Sequence, residues 1–289
     1  MLFFATSGDE SKKTKGDNKM SSVLTGPEIR RNVQNGNIEI NPYIPDCVTS
    51  ESYDVHLGGF IAVYEYVIPK GILPAIPYDK EKFKVMHNNG NFDGMLPWFE
   101  SGTGGTDYHE QYRLKPYNYD FRNTRFYLDP CDEDCHKLKF IQIPETGLLL
   151  NPQFLFIGNT VEQVRSSKYH INIDGTSTIA RNGGLIHHTA GNIAVGFSGQ
   201  IVLEISIKHP LVLYPYMKIG QLLFSPLEGE IEPYNTPGYQ GQTGPKGAKT
   251  MSINQGHTQL LKSAEQNLFN NNAVLQQQLR TAMYASHQK

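Results

Sequence analysis

Cysteine is scarce in this chain: Cys47, Cys131 and Cys135 are the only three in 289 residues. So few thiols exclude a disulfide framework and suit a reducing compartment, so a cytoplasmic setting is expected. Long apolar runs are missing as well. No window of about 18 apolar residues exists, which excludes a membrane-spanning helix and argues against a membrane partner. The opening MLFFATSGDESKKTKGDNK turns polar after a handful of apolar residues and does not read as a signal peptide. Charge of one sign is also absent. With 26 Lys and Arg against 28 Asp and Glu, the net charge is −2, and no basic face for duplex nucleic acid is expected.

What the chain does have is turn-forming and aromatic residues: 27 Gly, 17 Pro and 16 Tyr, with a hydrophobic fraction of 38%. That balance favours many short strands over a helical bundle, and an all-β fold is expected. Cys131, Cys135 and His136 form a C-x3-C-H cluster. Crowded by Asp132, Glu133 and Asp134 and lacking a fourth ligand nearby, it reads as an acidic solvated loop rather than a zinc site.

Along the chain, residues 1–20 are polar and expected to be a disordered tail. A domain over 21–250 follows, then a C-terminal extension over 251–289. The domain opens on a short helix with Thr25 as N-cap, Pro27 in the first turn, Glu28 at the capping-box position and Gly36 as the stop. Ile29 and Val33, four apart, make its apolar stripe. Ser52 to Val63 reads as one strand with a bulge at Gly58-Gly59. Residues 65–140, with Trp98, SGTGGT at 101–106 and many tyrosines, read as an insertion of loops and short strands. From Phe140 strands recur: two around Pro-Glu-Thr-Gly and Asn-Pro turns, then Ile201 to Ile207, then a pair in HPLVLYPYMKIGQLLFSPL. The pattern to residue 230 predicts a compact barrel or sandwich. Residues 233–250 form a Gly/Pro-rich arm with no core of its own. Gln259 to Met283 is predicted as an amphipathic helix with Leu260, Leu261, Leu268, Leu275 and Leu279 on one stripe, able to pair with other subunits.

One carboxylate stands out. In Ile201 to Ile207, Ile201, Leu203, Ile205 and Ile207 share one face, while Val202, Glu204 and Ser206 share the other. A Glu on a strand this apolar costs free energy unless it is paired or used. Two readings stay open: a structural ion pair with Arg181, or a general base with a tuned pKa beside a pocket. Ser177, Thr178 and Arg181 follow Gly175 in a tight turn, whose hydroxyls and amides either bind an anion or cap the turn. His187 and His188, as neighbours on a strand, would point to opposite faces and not share one ion; His187 reads as a packed residue.

Taken in order, the motifs resemble the dCTP deaminase branch of the trimeric dUTPase superfamily. Ser52, Asp54, Val55 and Leu57 match its Ser-x-Asp-Val-x-Leu strand, and GTSTIAR is similar to its Gly-(Lys/Arg)-Ser-Ser-x-x-Arg motif. His187, Thr189, Ala190 and Gly191 match His-x-Thr-Ala-Gly, and GFSGQIVLEI matches Gly-Phe-x-Gly-x-Ile-x-Leu-Glu. MKIGQL, Pro233-Tyr234 and Tyr239-Gln240-Gly241-Gln242 match the closing strand and arm. The blocks are 22–64 and about 142–246. The resemblance implies a dUTPase-like distorted, jelly-roll-like β-barrel, a homotrimer with sites shared between subunits, and a deoxynucleoside triphosphate as ligand. It implies catalytic roles for Glu204, Arg181, Ser177 and the Ala190 carbonyl. Thr176, Ser177, Thr178, Arg181, Val202, Leu203, Glu204, Tyr234 and Gln242 would contact the nucleotide. It implies metal-free deamination of cytosine, with Mg2+ carried by the triphosphate; the zinc-deaminase signature is absent.

The chain departs from the family pattern at charged positions. Thr176 stands where a basic residue is expected, Gly238 where a lysine is, Thr243 where a basic residue is frequent, and Ala194 where an aspartate contacts the sugar. Lys246 and Lys249 are candidates to restore charge. With Ala194 in the place of that aspartate, dUTP hydrolysis is not expected. The alternative to a deaminase is a non-catalytic trimer of the same fold with a structural or regulatory role.

Overall fold

The computed structural model describes residues 23–68, 72–81, 128–235, 238–274 and 276–278. The expected polar tail, Trp98, the 101–106 glycine segment, Leu275 and Leu279 lie outside the described residues.

The first helix, α1 (Gly26–Gln34), forms where expected and buries Ile29, but its capping differs. Thr25 makes no side-chain cap, and Glu28 pairs instead with Arg31 one turn on, at 3.0 Å. The helix start is tied down from outside, by the Gly26 N–H donating to the Ser50 carbonyl at 2.6 Å, so a side-chain cap is not needed there.

The strands run β1 (Ile38–Asn41), β2 (Tyr53–His56), β3 (Phe60–Tyr64), β4 (Ala75–Pro77), β5 (Leu138–Gln142), β6 (Leu148–Leu150) and β7 (Phe156–Ser166). They continue as β8 (Tyr169–Gly175), β9 (Gly184–Leu185), β10 (Asn192–Ile193), β11 (Ser198–Ile207), β12 (Leu211–Leu213) and β13 (Lys218–Pro226). Two further α-helices among the described residues are α2 (Ser177–Arg181) and α3 (Gln255–Asn270). The expected all-β class holds. The ladders make a six-stranded sheet ordered β5-β3-β7-β11-β9 with β1 also on β7, a four-stranded sheet β10-β8-β13-β2, and a three-stranded sheet β12-β6-β4, all antiparallel. Among the described residues these ladders do not close into a ring.

The three sheets share one core. Val55 and Leu57, Ile61, Leu150, Val164, Ile171, Leu203, Leu213 and Phe224 belong to a single buried cluster, so no sheet buries its apolar face alone. Ser52 to Val63 is not one bulged strand. β2 and β3 sit in different sheets, and Gly58-Gly59 is the corner between them. A Cβ at Gly58 would lie 2.8 Å from the Asn159 carboxamide, which is why the corner needs a residue without one. A buried pair locks this corner: the Glu162 carboxylate, 1% exposed, meets His56 Nδ1 at 2.6 Å and accepts the His56 backbone N–H at 2.9 Å. It joins β2 of one sheet to β7 of another. β4 and β5, from the ends of the 65–140 stretch, pair with β6 and β3.

Candidate active site

β11 carries the alternation the sequence predicts. Ile201, Leu203, Ile205 and Ile207 are buried, while Val202, Glu204 and Ser206 are half-buried on the other face. That second face looks into a cavity of about 500 Å³. Glu204 and Val202 line it from β11, Ala190, Ile193 and Ala194 from the preceding corner, and Tyr234, Tyr239, Gln242 and Lys246 from the arm. Glu204 is the sole carboxylate among the lining residues. Burial pushes its carboxyl above the usual carboxylate range, opposed by a backbone hydrogen bond at His188 and by the nearby His187 and His188 imidazoles.

The arm is stitched to the start of β11. Gly241 N–H donates to the Ser198 carbonyl at 2.7 Å, Gln200 N–H to the Gln242 carbonyl at 3.0 Å, and the Gln242 amide to the Gln200 carbonyl at 2.9 Å. Gln240 holds the same turn, accepting from Ser198 N–H at 3.1 Å and donating to the Gly196 carbonyl at 3.2 Å. Gly199 lets the two backbones approach: a Cβ there would lie 3.0 Å from Gln242 N and O. Tyr234 packs edge-on against Phe197, with ring centroids 6.2 Å apart, so the arm borrows the body's core. Farther on, the Ala248 N–H donates to the Tyr64 hydroxyl at 3.1 Å.

The structure places the expected site residues in two groups. Glu204, Ala190, Val202, Tyr234 and Gln242 meet at the cavity. Leu203 is fully buried on the opposite face, so only its backbone is near. Thr176, Ser177, Thr178 and Arg181 do not line the cavity. They form not a tight turn but the one-turn helix α2, anchored by buried Ile179. Of the two roles left open for these hydroxyls, Thr176 takes the capping one, its Oγ1 accepting from Ile179 N–H at 3.3 Å. Ser177, Thr178 and Arg181 are exposed. The expected Glu204–Arg181 contact is not formed within the chain; burial and two histidines act on Glu204 instead. His187 and His188 lie in a loop after β9, not on a strand; His187 Nε2 meets Asp174 Oδ1 at 3.3 Å.

Two features escape sequence reading. Gln200 and Asn159 form a hub behind the arm: Gln200 Oε1 accepts from Gly244 N–H at 2.6 Å and from Asn159 Nδ2 at 3.1 Å. The second concerns Gly238. A Cβ there would overlap Lys249 Nζ, whose ammonium lies over the Tyr239 ring at 4.8 Å. Lys246 Nζ donates to the Gly238 carbonyl at 3.3 Å. Two ammonium groups therefore stand around the position where a lysine was expected.

The Cys131–His136 loop is a short 3-10 turn over Glu133–His136, capped by Asp132, with Cys135 buried and Cys131 exposed. Among the described residues no group of three His, Cys, Asp or Glu is arranged to hold a metal ion. Among them, too, no helix is long and apolar enough to cross a membrane.

A family model described as dCTP deaminase-like matches residues 105–227, beginning inside the 65–140 stretch. A dCTP deaminase, dUMP-forming, from Hathewaya histolytica is 43% identical over 109 residues, covering 38% of this chain and 63% of the relative. The chain thus spans a little under two thirds of that relative's length. Its namesake from Coprothermobacter proteolyticus is 41% identical over 129 residues, 43% of this chain and 69% of the relative. That from Cytophaga hutchinsonii is 37% identical over 137 residues, 46% and 79% respectively. A crystal structure of 2'-deoxycytidine 5'-triphosphate deaminase from Agrobacterium tumefaciens aligns over 71% of this chain and 48% of that one. Its identity is 14% and its TM-score 0.42. With more than two thirds of two relatives matched at 37% and 41% identity, the chain belongs to the dCTP deaminase-like family.

Proposed function

We propose that the chain deaminates the cytosine of dCTP, giving dUTP and ammonia, with Glu204 as the general base. The observation that carries this is one half-buried carboxylate, raised in pKa by burial, on the wall of a cavity of about 500 Å³. A base whose pKa approaches the working pH both accepts and returns a proton effectively. Glu204 takes a proton from a water held by the Ala190 carbonyl and the Ser177 hydroxyl, and the resulting hydroxide adds to cytosine C4. Glu204 returns that proton to the amino group, which leaves as ammonia as the C4–N bond breaks. The hydrogen left on the new hydroxyl moves to N3, and the product is uracil.

Ser177, Thr178 and Arg181 lie outside the chain's own cavity, so their part requires a second subunit. A homotrimer with shared sites supplies it, and Arg181 then reaches Glu204 from a neighbour to orient the water. Tyr234 and Gln242 close over the nucleotide, and Lys246 and Lys249 supply charge at its phosphate end. Mg2+ would be held by phosphate oxygens, which fits a cavity with a single carboxylate.

The relatives are named dUMP-forming. In this chain the reaction stops at dUTP. Attack on C4 and attack on the α-phosphorus take place at distant atoms and need separately placed bases, whereas Ala194 on the cavity wall leaves only Glu204.

The test is incubation of the purified protein with dCTP and Mg2+, following ammonia and separating dUTP from dUMP. Ammonia with dUTP, abolished by Glu204→Gln, is the expected result. No turnover, with no nucleotide-induced rise in Tm, favours the non-catalytic trimer, a reading to which Thr176, Gly238 and Thr243 at phosphate-contacting positions lend weight.

A further inference from the structure

Tyr64 is the last residue of β3, and the sheet register fixes the side its ring takes. Ala62 pairs with Ile157, and Ile157 pairs with Glu204, so these three stand in one row across β3, β7 and β11. Directly paired residues share a face, and so do residues two apart on one strand. Tyr64 therefore projects on the face that carries Glu204. Ile61 and Val63, on the other face, belong to the buried core, as Leu203 does. Tyr64 is 7% exposed and lines the cavity. Two strand spacings across and two residues along put its backbone about 12 Å from that of Glu204.

The arm crosses this face from β11 toward β5. Gly244 N–H is held by Gln200 Oε1 at 2.6 Å, Gly247 lies against Leu138, and Ala248 N–H donates to the Tyr64 hydroxyl at 3.1 Å. The Tyr64 ring meets His136 edge-on, with centroids 6.4 Å apart, which steadies the phenol from the β5 side. The hydroxyl accepts from Ala248, and among the described residues nothing accepts from it. A phenol both donates and accepts, so this nearly buried one, with only its lone pair in use, keeps an O–H to give. Lys246, Gly247 and Ala248 line the cavity beside it.

The two charges in the wall orient a ligand. Glu204 is the sole carboxylate among the lining residues and Lys246 the sole cation. An anionic group is repelled by the first and drawn to the second. A nucleotide is thus seated with its base toward Glu204 and its phosphates toward Lys246. We propose that Tyr64 is a further binding residue at that second end: its O–H donates to a phosphate oxygen, while Ala248 N–H holds the phenol in place. The inference rests on the deaminase reading and deepens it. A hydrogen bond to an ionised acceptor is among the strong ones, and this one comes from the floor of the cavity, where Thr176, Gly238 and Thr243 bring no charge.

Binding of dCTP, inorganic triphosphate and deoxycytidine is measured calorimetrically, all on Glu204→Gln protein so that nothing turns over. Adding Tyr64→Phe is expected to weaken dCTP and triphosphate about tenfold and to leave deoxycytidine unchanged. Adding Ala248→Pro instead removes the N–H and keeps the phenol; by loosening the arm it weakens dCTP and deoxycytidine alike. An equal loss for dCTP and deoxycytidine in the Tyr64→Phe protein reduces Tyr64 to a fastener of the arm and overturns the inference. So does unchanged binding of all three, in either case with the deaminase reading intact. A dCTP loss that triphosphate does not share overturns the assignment to phosphate. Binding of none of the three, together with no ammonia release from the unsubstituted protein, overturns both readings.

Discussion

The motif around Glu204 and the motif around Ser177 sit under opposite conditions in the same chain. Glu204 is half-buried on β11, which pairs with β7 over seven residues, and a stapled arm roofs the cavity beside it. Ser177, Thr178 and Arg181 ride on one exposed helical turn, held by little more than Ile179 beneath and a threonine cap. The first group is complete as a pocket wall; the second offers a hydroxyl pair and a guanidinium to solvent. Functional groups left exposed on a short element are placed for something outside the chain. In the proposed trimer that something is the cavity of a neighbour.

The sharpest way to break this comparison is to inactivate the two halves in different chains. Glu204→Gln and Arg181→Ala proteins are each expected to lose about a thousandfold or more in kcat. Co-expressed and purified as mixed assemblies, they regain activity on the order of a tenth of the unsubstituted enzyme, because some sites then combine two intact halves. Steady-state ammonia release measures this. If the mixture stays as inactive as its parts, Glu204 and Arg181 do not work across a subunit boundary, and the shared site is wrong.

A second contrast, smaller in effect, sets the cavity's scaffold against the C-terminal helix. Leu203 is fully buried behind Glu204, whereas Leu260 on α3 is 71% exposed. Leu203→Ala is expected to cost about 2–5 kcal/mol of unfolding free energy, and Leu260→Ala within about 0.5 kcal/mol. Urea denaturation resolves the two. A substantial loss at Leu260 would mean that α3 is covered in the folded assembly.

How much of this was legible beforehand follows from the range of the interactions. β11 shows a period of two that burial enforces along one strand, so its faces and the position of Glu204 are written locally. The order of motifs conveyed the family for the same reason. Long-range placement was not legible. Nothing near Gly58 says that β2 and β3 part into different sheets, and the Asn159 carboxamide that a Cβ there would meet lies a hundred residues on. Thr25 and Glu28 carry a capping signature, yet the Gly26 N–H is satisfied by Ser50, beyond the helix. GTSTIAR reads as a tight turn until Thr176 is seen to cap Ile179 N–H and start a helix. Nor does spacing show that Lys249 reaches back over Tyr239 into the place a side chain at Gly238 would occupy. The structural ion pair, one of the two readings left open for Glu204, does not form within the chain for a related reason: neighbouring motifs in sequence need not meet in one chain.

The smallest effect tests the electrostatic setting of Glu204 by itself. Its folded-state pKa is raised, mainly by burial, so the folded chain holds this proton more tightly than the unfolded chain does. The contribution to stability is therefore fully present below the unfolded carboxyl pKa and is lost as pH rises through the folded one. The ionised side chain is a charge that the fold of one chain disfavours, and Glu204→Gln removes it while keeping nearly the same shape. In the proposed trimer the Arg181 of a neighbouring subunit offsets that penalty, so the comparison is made on an Arg181→Ala background. There Glu204→Gln is expected to melt about 1–3 °C above its parent at pH 7.5, with the gap closing toward pH 4 as both side chains become neutral. Melting curves across that range check both the sign and the convergence. A double variant that melts lower at pH 7.5 would mean that the ionised Glu204 is stabilised in the assembly by a cation other than Arg181.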